Sequence, residues 1–339
     1  MSSRLEAVGL RVLCGLGQVR RFSGPILVSI VALCLGAYSA YRIAMGLPSD
    51  PRPRPAAWLD LRERSAIAKE DLPEATTRQE SLRIAVAPVI SPELSSALYE
   101  GVFRRLGERT DRRLHVCYGK SYGDVNNLVR YRQCDLAVIC DFALVRGQQQ
   151  FGMEILAVPV VRGSIVFHSL IVTQASSPAT SLFDLRDTRF ASSDLLSASG
   201  WLYPMVAIRG DGADPGTFFS RHVITGSHDR SILAVLSQCV DGAAVDSQVY
   251  DYMVEREPGI ASAIRVIERS SPFGAPPFVV HPAIDPELRI RMQAALLDMH
   301  EDEEGRRALL QARIDRFVIP PAGLYDSVQA LVASLDSGE

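Results

Sequence analysis

Three short stretches place polar side chains where strands hand over to helices. In DLLSASGWLYP, residues 194–204, Ser197, Ala198, Ser199 and Gly200 follow a strand and open a helix. Free backbone N–H groups and the positive end of the helix dipole meet there, and the two hydroxyls add donors, so an oxyanion can be held without a full positive charge. Capping of the helix by Ser197 or Ser199 accounts for the same pattern. In GSHDRSI, residues 226–232, His228 stands at or just before a helix start, where an imidazole can donate to an anion and titrate near neutrality. In VDGAAVDSQVY, residues 240–250, Asp246 ends an apolar strand. A carboxyl group there suits a ligand that has a proton to donate and repels a fully ionised, sulfate-like one. It also serves as the cap of a helix from Ser247.

Drawn together, Ser199, His228 and Asp246 could be a nucleophile, a base and an orienting acid. The chain has no G-x-S-x-G, H-E-x-x-H or G-x-x-x-x-G-K-[ST] stretch, and His300-Glu301 is followed only by acids. Binding without chemistry is therefore preferred over a serine hydrolase, and no cofactor or metal is expected. Six cysteines show no C-x-x-C spacing, and with only 6 histidines a zinc site is not expected. Cys117 and Cys140 close apolar runs and read as buried free thiols, although an exported domain could form a disulfide.

These residues need a scaffold. The chain has 339 residues, 47 % of them hydrophobic and 22 % charged, which fits about two globular domains. A net charge of −3 gives no sign of a nucleic-acid surface. From Leu82, strands and helices alternate: strand 82–88, a helix after Ser91 and Pro92, strand 114–119, a helix from Tyr122, strand 134–140. This β-α-β-α-β order predicts a parallel sheet covered on both faces. Two more strands follow in EILAVPVV and FHSLIVT. A second α/β unit has helices 200–209, 229–237 and 247–256 and strands 241–246 and 263–268. Strand 276–281, a helix 286–299 and a last helix near 303–313 complete the pattern. Two such units predict two lobes with a ligand cleft between them.

Upstream, PILVSIVALCLGAYSAYRIAMGL (residues 25–47) is apolar for about 17 residues before Arg42, or about 25 Å of helix, and snorkelling of Arg42 extends it to a span. Arg4, Arg11, Arg20 and Arg21 precede it with only Glu6 opposing, which keeps the N-terminus in the cytoplasm and sends the rest across. An uncleaved signal-anchor is the preferred reading. A cleaved signal peptide, with a small-x-small site at residues 37–39, and a lipoprotein signal ending at Cys34 are the alternatives. The expected division is a cytoplasmic N-terminus at 1–21, a transmembrane signal-anchor at 22–47, a Pro-rich polar linker at 48–81, a first lobe at 82–180 plus 271–325, and a second lobe at 181–270.

The succession S-x-S-G-x-x-x-P, G-S-H-D-x-S and V-D-x-A-A-x-D-S resembles the PhnD-like phosphate/phosphite/phosphonate solute-binding proteins of ABC importers. YGDVNNLVRYRQCDLAVIC and the segment at 163–192 agree in order, and the resemblance spans about 82–310. It implies a type II periplasmic binding fold, here joined to the N-terminal transmembrane helix read from the apolar run, working outside the cytoplasm with an ABC permease as partner. Carried over, Ser197, Ser199 and the Gly200 backbone would hold the oxyanion and His228 would donate to it. Tyr122 and Phe142 would line the cleft, and Asp246 matches the acidic or polar position of the second lobe. Ala198, Phe142 and Phe167 stand where the family often has hydroxyl-bearing residues, and each lost hydroxyl is worth about 1 kcal/mol. A membrane-anchored sensory or accessory module of the same fold, signalling through a partner, is the second functional expectation.

Overall fold

The structure is a computed structural model that describes residues 81–336. The expected signal-anchor and most of the linker lie outside the described residues. The first lobe begins with β1 (Ser81–Val86), α1 (Pro92–Thr110), β2 (Arg113–Tyr118), α2 (Tyr122–Arg130), β3 (Leu136–Val138), α3 (Asp141–Phe151) and β4 (Glu154–Val160). Through β5 (Val166–Phe167) the chain enters β6 (Ser169–Gln174), β7 (Arg189–Ser192), α4 (Tyr203–Gly210), α5 (Pro215–Phe218), β8 (Arg221–Ile224), α6 (His228–Leu236), β9 (Gly242–Asp246), α7 (Ser247–Arg256), α8 (Gly259–Ala263) and β10 (Ile264–Arg269). Through β11 (Phe273–Gly274) it returns to β12 (Phe278–Val280), α9 (Pro286–Leu297), α10 (Glu303–Ala312), β13 (Arg316–Val318) and α11 (Asp326–Asp336).

Two sheets result, with strand orders β13-β4-β12-β3-β1-β2 and β10-β6-β9-β7-β8. The parallel arrangement expected of the first sheet holds for β2-β1-β3. β12 and β13 pair antiparallel with their neighbours, because they belong to chain that has come back from the other lobe. The chain joins the second sheet at β6, which pairs with β9 and β10, upstream of the expected start at residue 181. The two crossings run side by side, since β5 and β11 form their own antiparallel pair. Paired crossings of this kind let two lobes move about a common line while each sheet stays intact.

Alternation along the strands builds a core on each face of each sheet. In β1, Leu82, Ile84 and Val86 join one apolar cluster and Ala85 joins the other. In β6, Leu170 and Val172 face one side and Ile171 the other. A fifth cluster joins the lobes: Phe142 of α3, Phe167 and Phe273 of the crossings, and Val328 and Val332 of α11. α11 replaces the expected C-terminal tail. It is fastened to the first lobe by Arg146–Asp336 and to the second by Arg209 donating to the Leu335 carbonyl.

Candidate functional site

The second lobe brings its polar residues together by a chain of tight turns. β7 ends at Ser192, and Ser197 caps the following turn by accepting the Gly200 N–H at 3.0 Å. The expected helix at 200–209 starts as a π-helical turn over Ala198–Leu202 and continues as α4. Widening of this kind recurs at functional sites. Gly200 is required by close approach: a Cβ there would lie 2.3 Å from Ser193 Oγ and 3.1 Å from His228 Cε1.

His228 opens α6 and is fully buried. Its Nδ1 accepts the Asp246 N–H at 3.1 Å, so in the neutral ring the proton sits on Nε2. Nε2 lies 3.3 Å from both Ser193 Oγ and Ser197 Oγ. Burial pushes the imidazole pKa down to about 3. Titration near neutrality, expected from the sequence, therefore does not occur in the folded chain: His228 is a neutral donor.

Asp246 ends β9 and caps α7, its Oδ1 accepting the N–H groups of Gln248 and Val249 at 2.6 and 3.2 Å. Capping and a place in the site are thus combined in one side chain. Burial raises its pKa to about 7 against the lowering effect of those bonds, with the charge of Asp141 adding to the rise. The hydrolase geometry is not formed. His228 faces Ser193 and Ser197, not Ser199, and the ring is oriented by the backbone of Asp246, not by its carboxylate.

From the first lobe, Tyr122 enters at the start of α2, where Ser121 forms a capping box with Asp124. The Tyr122 N–H donates to Asp194 Oδ2 across the seam at 3.1 Å, while its hydroxyl is buried without a well-formed partner. Asp141, not singled out from the sequence, begins α3 directly after Cys140. Its Oδ1 accepts the Cys140 thiol and the Phe142 N–H at 2.8 and 2.9 Å, Oδ2 has no partner, and burial lifts its pKa to about 7. The available signal was the likeness of VIC-D to AAV-D, two buried strands each ending on an acid. The Cys140 thiol also lies against the Ala198 amide of the second lobe. Cys117, Cys134 and Cys140 are free thiols, with Cys140 buried and Cys117 half-buried.

Of the eight expected residues, Phe142 and Ala198 belong to the apolar cluster that joins the lobes, and Ser197, Ser199, Gly200, His228, Asp246 and Tyr122 are buried. Phe142 stacks on Trp201 with centroids 6.5 Å apart and packs in the apolar cluster against α11. Besides Tyr122 Oη and Asp141 Oδ2, the Oγ atoms of Ser199 and Ser227 are buried without partners. An open pocket of about 330 Å³ adjoins the seam, lined by Asp246 with Val89, Ile90, Tyr99 and Val249 among others. Ser197, Ser199, His228 and Tyr122 are not among its lining residues. Among the described residues no group of three or more His, Cys, Asp or Glu side chains is placed to hold a metal ion.

Comparison with known proteins agrees with this architecture. Residues 84–323 match the family model of the ABC transporter phosphonate periplasmic substrate-binding proteins. Among solved structures, a binding protein component of an ABC phosphonate transporter from Pseudomonas aeruginosa superposes with a TM-score of 0.70 at 20 % identity, covering 75 % of this chain and 86 % of that one. PhnD1 from Prochlorococcus marinus in complex with methylphosphonate gives 0.69 at 17 % identity, covering 76 % and 99 %. A Xanthomonas citri protein bound to chloride gives 0.62 at 21 %, covering 76 % and 98 %. These structures share the two-lobed fold. With a family match over most of its length, the chain belongs to the periplasmic phosphonate-binding proteins of ABC transporters.

Proposed function

We propose that the seam captures a phosphate-like oxyanion (phosphate, phosphite or a phosphonate), for delivery to an ABC permease. The observation that carries this reading is the set of buried polar atoms without partners, contributed by both lobes: Tyr122 Oη, Asp141 Oδ2, Ser199 Oγ and Ser227 Oγ. Each costs about 1–3 kcal/mol when left unpaired, so a ligand that supplies the missing partners is strongly favoured.

The hydroxyls, the neutral His228 Nε2–H and the backbone amides of the Ser197–Gly200 turn are donors that suit an oxyanion. Burial raises the pKa of both Asp141 and Asp246 to about 7, so each can carry a proton near neutrality. A protonated carboxyl donates to an oxyanion, and an ionised one accepts from a ligand that keeps a P–OH proton. Sulfate has no such proton and meets repulsion. Opening and reclosing about the β5–β11 crossings would admit the ligand to a site whose two halves are in contact in this structure. The apolar run at 25–47 and the arginines before it support an anchored chain with its folded lobes outside the cytoplasm, where a membrane-embedded permease can receive the ligand.

Thermal unfolding tests the reading. With phosphite, phosphate or methylphosphonate at about a hundredfold over Kd, the midpoint should rise by roughly 5–10 °C, with no rise in sulfate at the same ionic strength. Equal shifts in all four would mean general salt stabilisation and would remove the oxyanion site.

A further inference from the structure

One edge of the first lobe carries more positive charge than its acids offset. Strands β2, β1 and β3 run parallel, so the junctions that lead into β2 and β3 reach the same edge of the sheet. They stand on either side of the point where the chain enters β1, two strand spacings or roughly 10 Å apart. The α1–β2 junction carries Asp111, Arg112 and Arg113, and the α2–β3 junction carries Arg130, Tyr131 and Arg132.

Both junctions are fixed to the entry strand. Arg113 is in register with Ser81, and Arg112 donates to the Ser81 carbonyl at 3.4 Å. Arg83 forks onto Asp135 at 3.1 and 2.6 Å and reaches the Arg132 carbonyl at 3.1 Å. The neighbouring acids are used up locally: Asp135 pairs with Arg83, and Glu108 with Arg104 and Arg105. Among the described residues, Arg112, Arg113, Arg130 and Arg132 form no ion pair, and Asp111 is the acid left to oppose them. Arg113, Arg130 and Arg132 are exposed. Beside them Tyr131 has 62 % of its surface free and Leu114 is exposed too. Such a cluster is local in a chain whose net charge is −3.

The position of this edge points to its partner. Residues 48–80, the expected linker from the apolar run at 25–47, enter the fold at Ser81. About 33 residues reach at most about 110 Å, and the edge around Ser81 is the part of the fold nearest the anchor along the chain. Arginines beside an exposed tyrosine and leucine suit a headgroup layer, where the guanidinium meets phosphate and the ring sits at the apolar boundary. Tyr122 and Asp141 follow the opposite ends of β2 and β3, so covering this edge leaves the seam free.

We infer that the edge formed by the α1–β2 and α2–β3 junctions docks on a membrane surface bearing anionic lipid headgroups, at the root of the tether. This inference rests on the anchored reading above. Each arginine near such a surface is worth about fivefold in binding, so four outweigh Asp111, and the tether makes the contact intramolecular.

Hydrogen exchange of the intact chain tests it, after reconstitution in vesicles of phosphatidylcholine alone or with about 30 % phosphatidylglycerol. Backbone amides at 110–115 and 130–135 should exchange about fivefold more slowly in the anionic vesicles, and about 0.5 M salt should remove the difference. Arg113→Glu combined with Arg132→Glu should abolish it while the thermal midpoint stays unchanged. Equal exchange in the two kinds of vesicle, or slowing that survives both the double variant and high salt, would overturn the inference. Flotation separates this outcome from failure of the anchor. A chain that floats with phosphatidylcholine vesicles yet shows no slowing in anionic ones keeps its anchor and loses the docking edge. One that floats only with anionic vesicles loses the anchor and keeps the docking edge. One that floats with neither overturns both.

Discussion

Two strand-to-helix junctions, one in each lobe, meet the seam with the same device and different chemistry. In the first lobe, β3 runs out at Val138 and α3 starts at Asp141, so the junction presents a carboxyl group with one oxygen unpaired. In the second, β7 runs out at Ser192 and the chain takes a longer path through Ser193, Ser197 and a π-helical turn before α4, presenting hydroxyls, amides and a neutral imidazole. A strand end followed by a helix start gives a site its position. The side chains at the joint decide whether it offers acid or donor. The described hydrogen bonds at these residues involve no arginine or lysine; Arg162, Arg269 and Arg313 line the adjoining pocket instead.

The largest effect is expected where the second lobe is tightest. Gly200→Ala forces a Cβ to 2.3 Å from Ser193 Oγ, so the turn must shift. Stability should drop by about 1–3 kcal/mol in chemical denaturation, and oxyanion affinity should drop a hundredfold or more. Retained affinity would show that the turn does not hold the ligand.

Proton linkage sharpens the comparison next. Asp141 and Asp246 hold their protons up to about 7 when folded but lose them near 4 when unfolded. Their effect is a stability that falls as pH rises from about 4 to about 7 and is flat above. His228 acts with the opposite sign. It stays neutral down to about 3 when folded and gains a proton below about 6.5 when unfolded, so its contribution is present above 6.5 and lost as pH falls toward 3. Asp141→Asn and Asp246→Asn should each flatten the fall between 4 and 7, while His228→Gln should flatten the loss on the acid side. Denaturation across this range reads all three. An unchanged profile in both Asn variants would contradict the buried-acid account.

The smallest effect belongs to the fastening of α11. Arg146→Ala removes an exposed pair with Asp336, worth about 1 kcal/mol or less, and leaves Val328 and Val332 packed. A loss above 2 kcal/mol would mean that the ion pair, not the apolar contact, fastens the helix.

Much of this comparison was legible in the sequence. β9 and α7 stand out because an all-apolar strand ends on a capping acid. Ser197, Ser199, Gly200 and His228 were legible as a polar strand-to-helix joint. Their burial was not, since it depends on how the lobes close over them, and burial sets the His228 and Asp246 protonation. Asp141 was passed over because an acid at a helix start reads as ordinary. α11 was missed for a similar reason: its apolar residues make sense only against Phe142, Phe167 and Phe273, which come from three distant segments. Phe142 shows a limit of another kind: its place where the lobes meet depends on packing against Ala198, Leu202 and Trp201, which are distant in sequence.

The most direct test of the oxyanion site is Ser199→Ala, read by calorimetry with methylphosphonate and phosphite alongside denaturation without ligand. Ser199 Oγ is buried and has no hydrogen-bond partner, so removing it should leave stability unchanged or slightly higher. If that hydroxyl awaits the ligand, affinity should fall at least tenfold in the same variant. Wild-type affinity in Ser199→Ala would contradict the assignment of the seam as the binding site.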